Sequence, residues 1–165
     1  MQLQQDLDII ARQERELVLP RLDAQIAWDL GSRLRDLAHE RQLAVAIDIR
    51  RFGQPLFYAA MDGTTPDNVE WVRRKSAVVA RFHRSSYAVG IKERITGKTV
   101  CESQGLSLAD YATHGGSFPL VVAGAGVVGS VTASGLPMRG DHELVVEALC
   151  GLLGRNYSEL RLPPE

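Results

Sequence analysis

At 165 residues the chain is long enough to bury about 70% of its unfolded surface, so one domain spanning 1–165 with a single core is expected. A net charge of −1, with 24% charged residues and Arg73-Arg74-Lys75 as the only basic triplet, argues against a nucleic-acid footprint. No apolar run reaches membrane-spanning length, the first residues lack the order of a signal peptide, and Cys101 and Cys150 have no metal-ligand spacing, so a cytoplasmic protein with idle thiols and no membrane partner is expected.

Leu3, Leu7 and Ile10 recur at helical spacing, predicting an amphipathic helix to about Glu14 whose apolar stripe a compact domain need not bury itself. Leu17-Val18-Leu19-Pro20 ends it. Asp23 caps a second helix with Ile26, Leu30, Leu34 and Leu37 on one face. Val45, Ile47 and Ile49 alternate with Ala46, Asp48 and Arg50, and Phe52-Gly53-Gln54 turns the chain into residues 56–61, which predicts an antiparallel hairpin. Thr65 before Pro66 starts a third helix, with the hydroxyl as cap and proline at the first helical position. It runs to about Arg84, with a continuation through 86–92 that Gly90 weakens. Ser107-Leu108-Ala109-Asp110 has the form of a capping-box start for one helical turn leading to His114.

The segment from Gly115 to Gly135 contains Gly124-x-Gly126-x-x-Gly129 after an apolar run, as a dinucleotide fingerprint does. That fingerprint needs a helix opening at its third glycine. Ser130-Val131-Thr132-Ala133-Ser134 alternates like a strand and Gly135-Leu136-Pro137 closes it, so a hairpin is expected, with Val121-Val122 opposite Val131-Thr132. Asp141 then caps a last helix with Val145, Ala148, Leu149, Leu152 and Leu153 on its buried side and Gly154 as the stop. Two hairpins among helices give an α+β domain, an antiparallel sheet flanked by helices.

Lys75 shares a helical stripe with Val72, Val79 and Phe82. Its stem packs while its head snorkels to water, or its ammonium lines a pocket for an acidic group with Trp71 as an aromatic wall. His114 before Gly115-Gly116 is either a solvated loop histidine or one that binds a metal or haem iron, or moves protons. Asp141 is accounted for as an N-cap, which leaves His142 open. No G-x-S-x-G elbow and no pair of histidines at ligand spacing is present, so neither a serine hydrolase nor a dedicated metal site is expected, and no catalytic residue is named.

His114-Gly115-Gly116-Ser117-Phe118-Pro119-Leu120, the run from Gly129 to Pro137, and Asp141-His142-Glu143-Leu144-Val145-Val146-Glu147-Ala148-Leu149 resemble the haem-degrading-domain superfamily of GlcG-like and HbpS-like proteins. The match is to its uncharacterised cytosolic branch, which Trp71-Val72-Arg73-Arg74-Lys75 and Phe82-His83-Arg84-Ser85-Ser86-Tyr87 also resemble. The resemblance implies a profilin-like α/β/α domain assembled as a homo-oligomer, a dimer or larger ring. Some relatives bind and slowly degrade haem, and a yeast relative is an oligomeric partner in protein targeting. The expected protein binds a small ligand, haem or another acidic tetrapyrrole, at Trp71, Lys75, His114, Gly115, Gly116, Asp141 and His142. The alternative is an oligomeric adaptor without small-molecule chemistry.

Overall fold

A computed structural model describes residues 1–164. Its elements are α1 (Gln2–Glu16), β1 (Val18–Leu19), α2 (Ala24–Glu40), β2 (Ala46–Arg51), β3 (Gln54–Ala60), α3 (Pro66–Phe82), α4 (Ser86–Thr96), α5 (Val100–Gln104), β4 (Ser117–Val122), β5 (Gly126–Ser134), α6 (Met138–Leu153) and α7 (Tyr157–Leu160). The sheet order is β1-β4-β5-β2-β3. Every pairing is antiparallel except that of β1 with β4, so the expected all-antiparallel sheet gains a two-residue parallel strand too short to show a period.

Alternation along β2 decides what each face meets. Val45, Ile47 and Ile49 enter the main core with Leu30 and Leu34 of α2 and Val145 and Leu149 of α6. Ala46, Asp48 and Arg50 face the other way, beside Ser130, Thr132 and Ser134 of β5. That polar face is the one α3 covers, and three layers result.

The second hairpin forms without a helix at Gly129. Its tight turn places Val121 opposite Val127 and Val122 opposite Gly126, so Val131 and Thr132 meet Phe118 and Ser117 rather than the expected valines. The third glycine of the fingerprint has a packing reason: a Cβ on Gly129 would lie 2.0 Å from the carbonyl oxygen of Arg50 on the neighbouring strand.

Several local expectations change. Asp23 caps α2 as expected, accepting the Ile26 N–H at 2.9 Å. At the start of α3 the side chain of Asn68 supplies a cap, accepting the Thr65 N–H at 2.9 Å, with Pro66 in the first helical position. His83 takes a left-handed conformation and ends α3, and Ser85 caps α4 as a separate helix. Residues 107–110 form the expected single turn, the Asp110 and Tyr111 N–H groups both donating to the Ser107 carbonyl, but the Ser107 hydroxyl accepts the Ala109 N–H instead of forming a capping box, whereas Thr99 and Glu102 build an unforeseen capping box on α5. The apolar stripe of α1 is not left for a neighbour: Ile10 is fully buried against Tyr87, Ala88, Ile91 and Leu162, with Leu3 and Leu7 packed on the same cluster.

Candidate functional site

Lys75 does not snorkel. It projects from the buried face of α3 toward the end of β5, is 3% exposed, and donates to Asp141 Oδ2 at 2.9 Å and to the Ala133 carbonyl at 3.3 Å. An ammonium has three donors, and the third has no partner among the described residues. It sits at a cleft of about 350 Å³ whose walls include Asn68, Trp71, His114, Ser134 and Pro137.

Asp141 is not the N-cap. The helix starts three residues earlier, with Pro137 in the cap position, so the aspartate lies inside α6. Its Oδ1 accepts the Leu136 N–H at 2.9 Å, and its Oδ2 accepts the Gly135 N–H at 3.3 Å as well as Lys75. The carboxylate therefore fixes the loop that rims the cleft as well as the ammonium at its floor. Burial pulls Lys75 below the usual lysine range and is opposed by Asp141. It likewise lifts Asp141 above the usual aspartate range, opposed first by Lys75 and then by the two amides.

Trp71 is set by its own helix. Four residues back, Asp67 accepts its indole N–H at 3.1 Å, and three residues on, the Arg74 guanidinium lies 4.3 Å over the ring. The His114 ring meets it edge-on, centroids 4.9 Å apart at 75°. Burial, then the charges of Lys75 and Arg74, lower the His114 pKa, so at neutral pH the ring is an uncharged imidazole with its nitrogens available as donor and acceptor.

Gly115 and Gly116 are buried and serve by absence of a side chain. A Cβ on Gly115 would lie 2.0 Å from the Met138 carbonyl, and one on Gly116, at φ +132, would lie 2.2 Å from the Ala133 carbonyl and 3.0 Å from Lys75 Nζ. They let the His114 loop close over the ion pair; neither lines the cleft.

His142 is the one expected side chain placed on another side of the molecule. Neighbouring residues on a helix point about 100° apart, so Asp141 and His142 cannot both face one cleft. His142 is fully buried between Tyr87 and Phe118, its Nε2 2.8 Å from Gln13 Oε1 and its Nδ1 without a partner among the described residues. The structure thus brings Trp71, Lys75, His114 and Asp141 together, seats Gly115 and Gly116 behind them, and sends His142 to the α1 side. Asp67, Asn68 and Arg74 were not anticipated, although 67, 71 and 74 lie at the i, i+4, i+7 spacing that stacks side chains on one helix face.

Residues 22–150 match the family model described as haem degrading protein HbpS-like. The chain belongs to this HbpS-like family. It is similar to a UPF0303 protein of Burkholderia thailandensis, 62% identical over 162 residues that cover 98% of each chain. A UPF0303 protein of Paraburkholderia phytofirmans is 56% identical over the same share of both. Among solved structures, the Ybr137w protein superimposes with a TM-score of 0.83 at 30% identity, covering 90% of this HbpS-like chain and 88% of that one. A PduOC:haem complex gives a TM-score of 0.68 at 16% identity, over 78% of this chain and 93% of that one, a likeness of fold alone.

Proposed function

We propose that this HbpS-like protein binds a small acidic ligand in the cleft between α3, the His114 loop and the start of α6, with haem or another acidic tetrapyrrole as the ligand class. The observation that carries the reading is the buried Lys75 ammonium, held by Asp141 with one donor unspent, at the floor of a cleft with Trp71 and an uncharged His114 at its mouth. A structural ion pair needs no such opening. The description of the family model as haem degrading, and the haem complex formed by the PduOC fold relative, support the choice of ligand.

The residues fit one edge of such a ligand. Lys75 receives a carboxylate through its third N–H, Trp71 stacks or edges against a ring, and His114 is the nitrogen donor placed to approach a metal. At about 350 Å³ the cleft would accept the acidic edge of such a ligand and not a whole macrocycle, with Lys75, Trp71 and His114 as the residues that would hold that edge. Bound haem would supply redox-active iron; the chain supplies charge, orientation and one imidazole.

Titration of the apo-protein with haemin is expected to give a saturable Soret shift. His114→Ala should alter the position of the band, and Lys75→Met, checked for folding by near-ultraviolet circular dichroism, should weaken binding at least tenfold, since a charged hydrogen bond is worth about 1.5–3 kcal/mol. No saturable shift, or shifts identical in both variants, would overturn the reading.

The proposal extends to self-assembly. β3 is an edge strand, its outer backbone is unpaired with any other strand among the described residues, and Tyr58 and Trp28 stand exposed beside it. A second copy pairing along this edge would cover them. Light scattering coupled to gel filtration should therefore give at least twice the 18.1 kDa chain mass at micromolar concentration. A single species of chain mass would rule out the dimer.

A further inference from the structure

A second concavity of about 340 Å³ lies over the same polar sheet face, between the later part of α3, the β2–β3 turn and β5. We propose that it is a separate binding site for a small amphipathic monocarboxylate, gripped by the guanidinium of Arg50 with its apolar body against Ala77, Ala80 and Val128.

The argument begins with Asp48. It is 1% exposed in the middle of β2, and among the described residues its only side-chain partner is Arg50, whose Nε donates to Oδ1 at 2.7 Å. Burying a carboxylate costs several kcal/mol, and one arginine contact on a quarter-exposed side chain repays little of it. As a stability device the arrangement is poor. As a positioning device it is apt: with Nε fixed from below by a buried anion, the guanidinium plane is locked while both terminal nitrogens keep their donors.

The surroundings say what those donors meet. Arg73, the other arginine of the groove, is committed to Glu70, Asp110 and the Ala109 carbonyl, so among the described residues Arg50 is the arginine of the groove left with unspent terminal donors. Ser130 lies directly across from Arg50 in the β2–β5 ladder, adding one hydroxyl on the same face. The rest of the wall is largely apolar, and Phe52 stands 80% exposed at the rim. Ser76, the other hydroxyl of the groove, donates to the Arg73 carbonyl at 3.0 Å, so one fork-shaped cation, the Ser130 hydroxyl and a short apolar trough match a carboxylate on a compact hydrocarbon, which a guanidinium receives through two parallel hydrogen bonds.

Benzoate is the probe. In amide-resolved NMR titrations of the full chain at fixed ionic strength, benzoate is expected to shift the Ser76, Ala77, Gly129 and Ser130 signals saturably in the millimolar range. Benzyl alcohol, the neutral analogue of the same shape, should bind at least tenfold more weakly. Arg50→Lys keeps the charge and loses the fork, and should weaken benzoate about tenfold; Arg50→Met should abolish the shifts. Equal response to benzyl alcohol, no saturation, or shifts confined to Trp71 and His114 would overturn this site. Concentration-dependent shifts without benzoate would assign the groove to a second copy of the chain and would equally overturn it. The haemin experiment reads the other cleft, so the two proposals fail independently.

Discussion

Asp141→Ala should destabilise the fold by about 3–5 kcal/mol, because removing one member of a buried pair strands the other as an uncompensated charge. Lys75 is 3% exposed and cannot swing to water without unpacking α3 from the sheet. Two further losses add to this, since the Gly135 and Leu136 amides lose their common acceptor and the rim of the cleft loses its anchor. For a domain of this size the change corresponds to a melting temperature lower by about 10 °C. Urea denaturation at pH 7 measures it directly. A double replacement, Lys75→Met with Asp141→Leu, removes both charges and should cost far less than the two single changes added together. A loss below about 1 kcal/mol for Asp141→Ala would show that water reaches the pair, and the cleft would then lack its desolvated floor.

That ion pair also shows where sequence reading stops. Lys75 was conspicuous because it falls on the apolar stripe of its helix, and periodicity reveals this from Val72 and Val79 alone. Its partner lies 66 positions away, and nothing local couples them. Without that partner, a lysine on an apolar face is most cheaply placed by snorkelling, so periodicity alone leaves both water and a pocket open as destinations. Asp141 was misplaced for a related reason. An aspartate after a glycine-rich loop is a good capping residue, yet Pro137 is compatible with the cap position, and it lets α6 begin early enough to draw Asp141 inside.

The fold was more legible than the site. Both hairpins and the main helices announce themselves through periods of two and three to four, signals carried by neighbouring residues. The elements that escaped, β1, α5 and α7, are two to five residues long and have no period to display. β1 exists only because β4 offers it two partners, Val121 and Val122. The Arg50 groove escaped for a different reason. Asp48 reads as the outward residue of an amphipathic strand, and only the arrival of α3 on that face turns an outward position into a buried one.

His142 should make the protein sensitive to acid in a way that a single substitution can isolate. Gln13 donates through Nε2 to the Leu160 carbonyl at 2.7 Å, which turns Oε1 toward the histidine and makes His142 Nε2 the donor. Nδ1 is therefore the bare nitrogen, and among the described residues it has no hydrogen-bond partner. Protonating it would place a charge in an apolar pocket, and burial lowers the His142 pKa from 6.5 to about 3, with the Arg139 charge adding to the effect. In the unfolded chain the imidazole takes up its proton near pH 6.5, whereas in the fold it stays neutral until about 3. Across that window the unfolded state binds more protons, so stability falls as the pH falls and is fully present above the unfolded value. At about 1.4 kcal/mol for each pKa unit the loss approaches 4–5 kcal/mol near pH 3. His142→Gln keeps an N–H donor for Gln13 and has nothing to titrate. Unfolding free energies of the two proteins, measured in urea at pH 7, 6, 5 and 4, should converge as the pH falls, with every other titrating group common to both. Parallel curves would mean that water or another donor reaches Nδ1, and that the interior around Tyr87 and Phe118 is wetter than its packing implies.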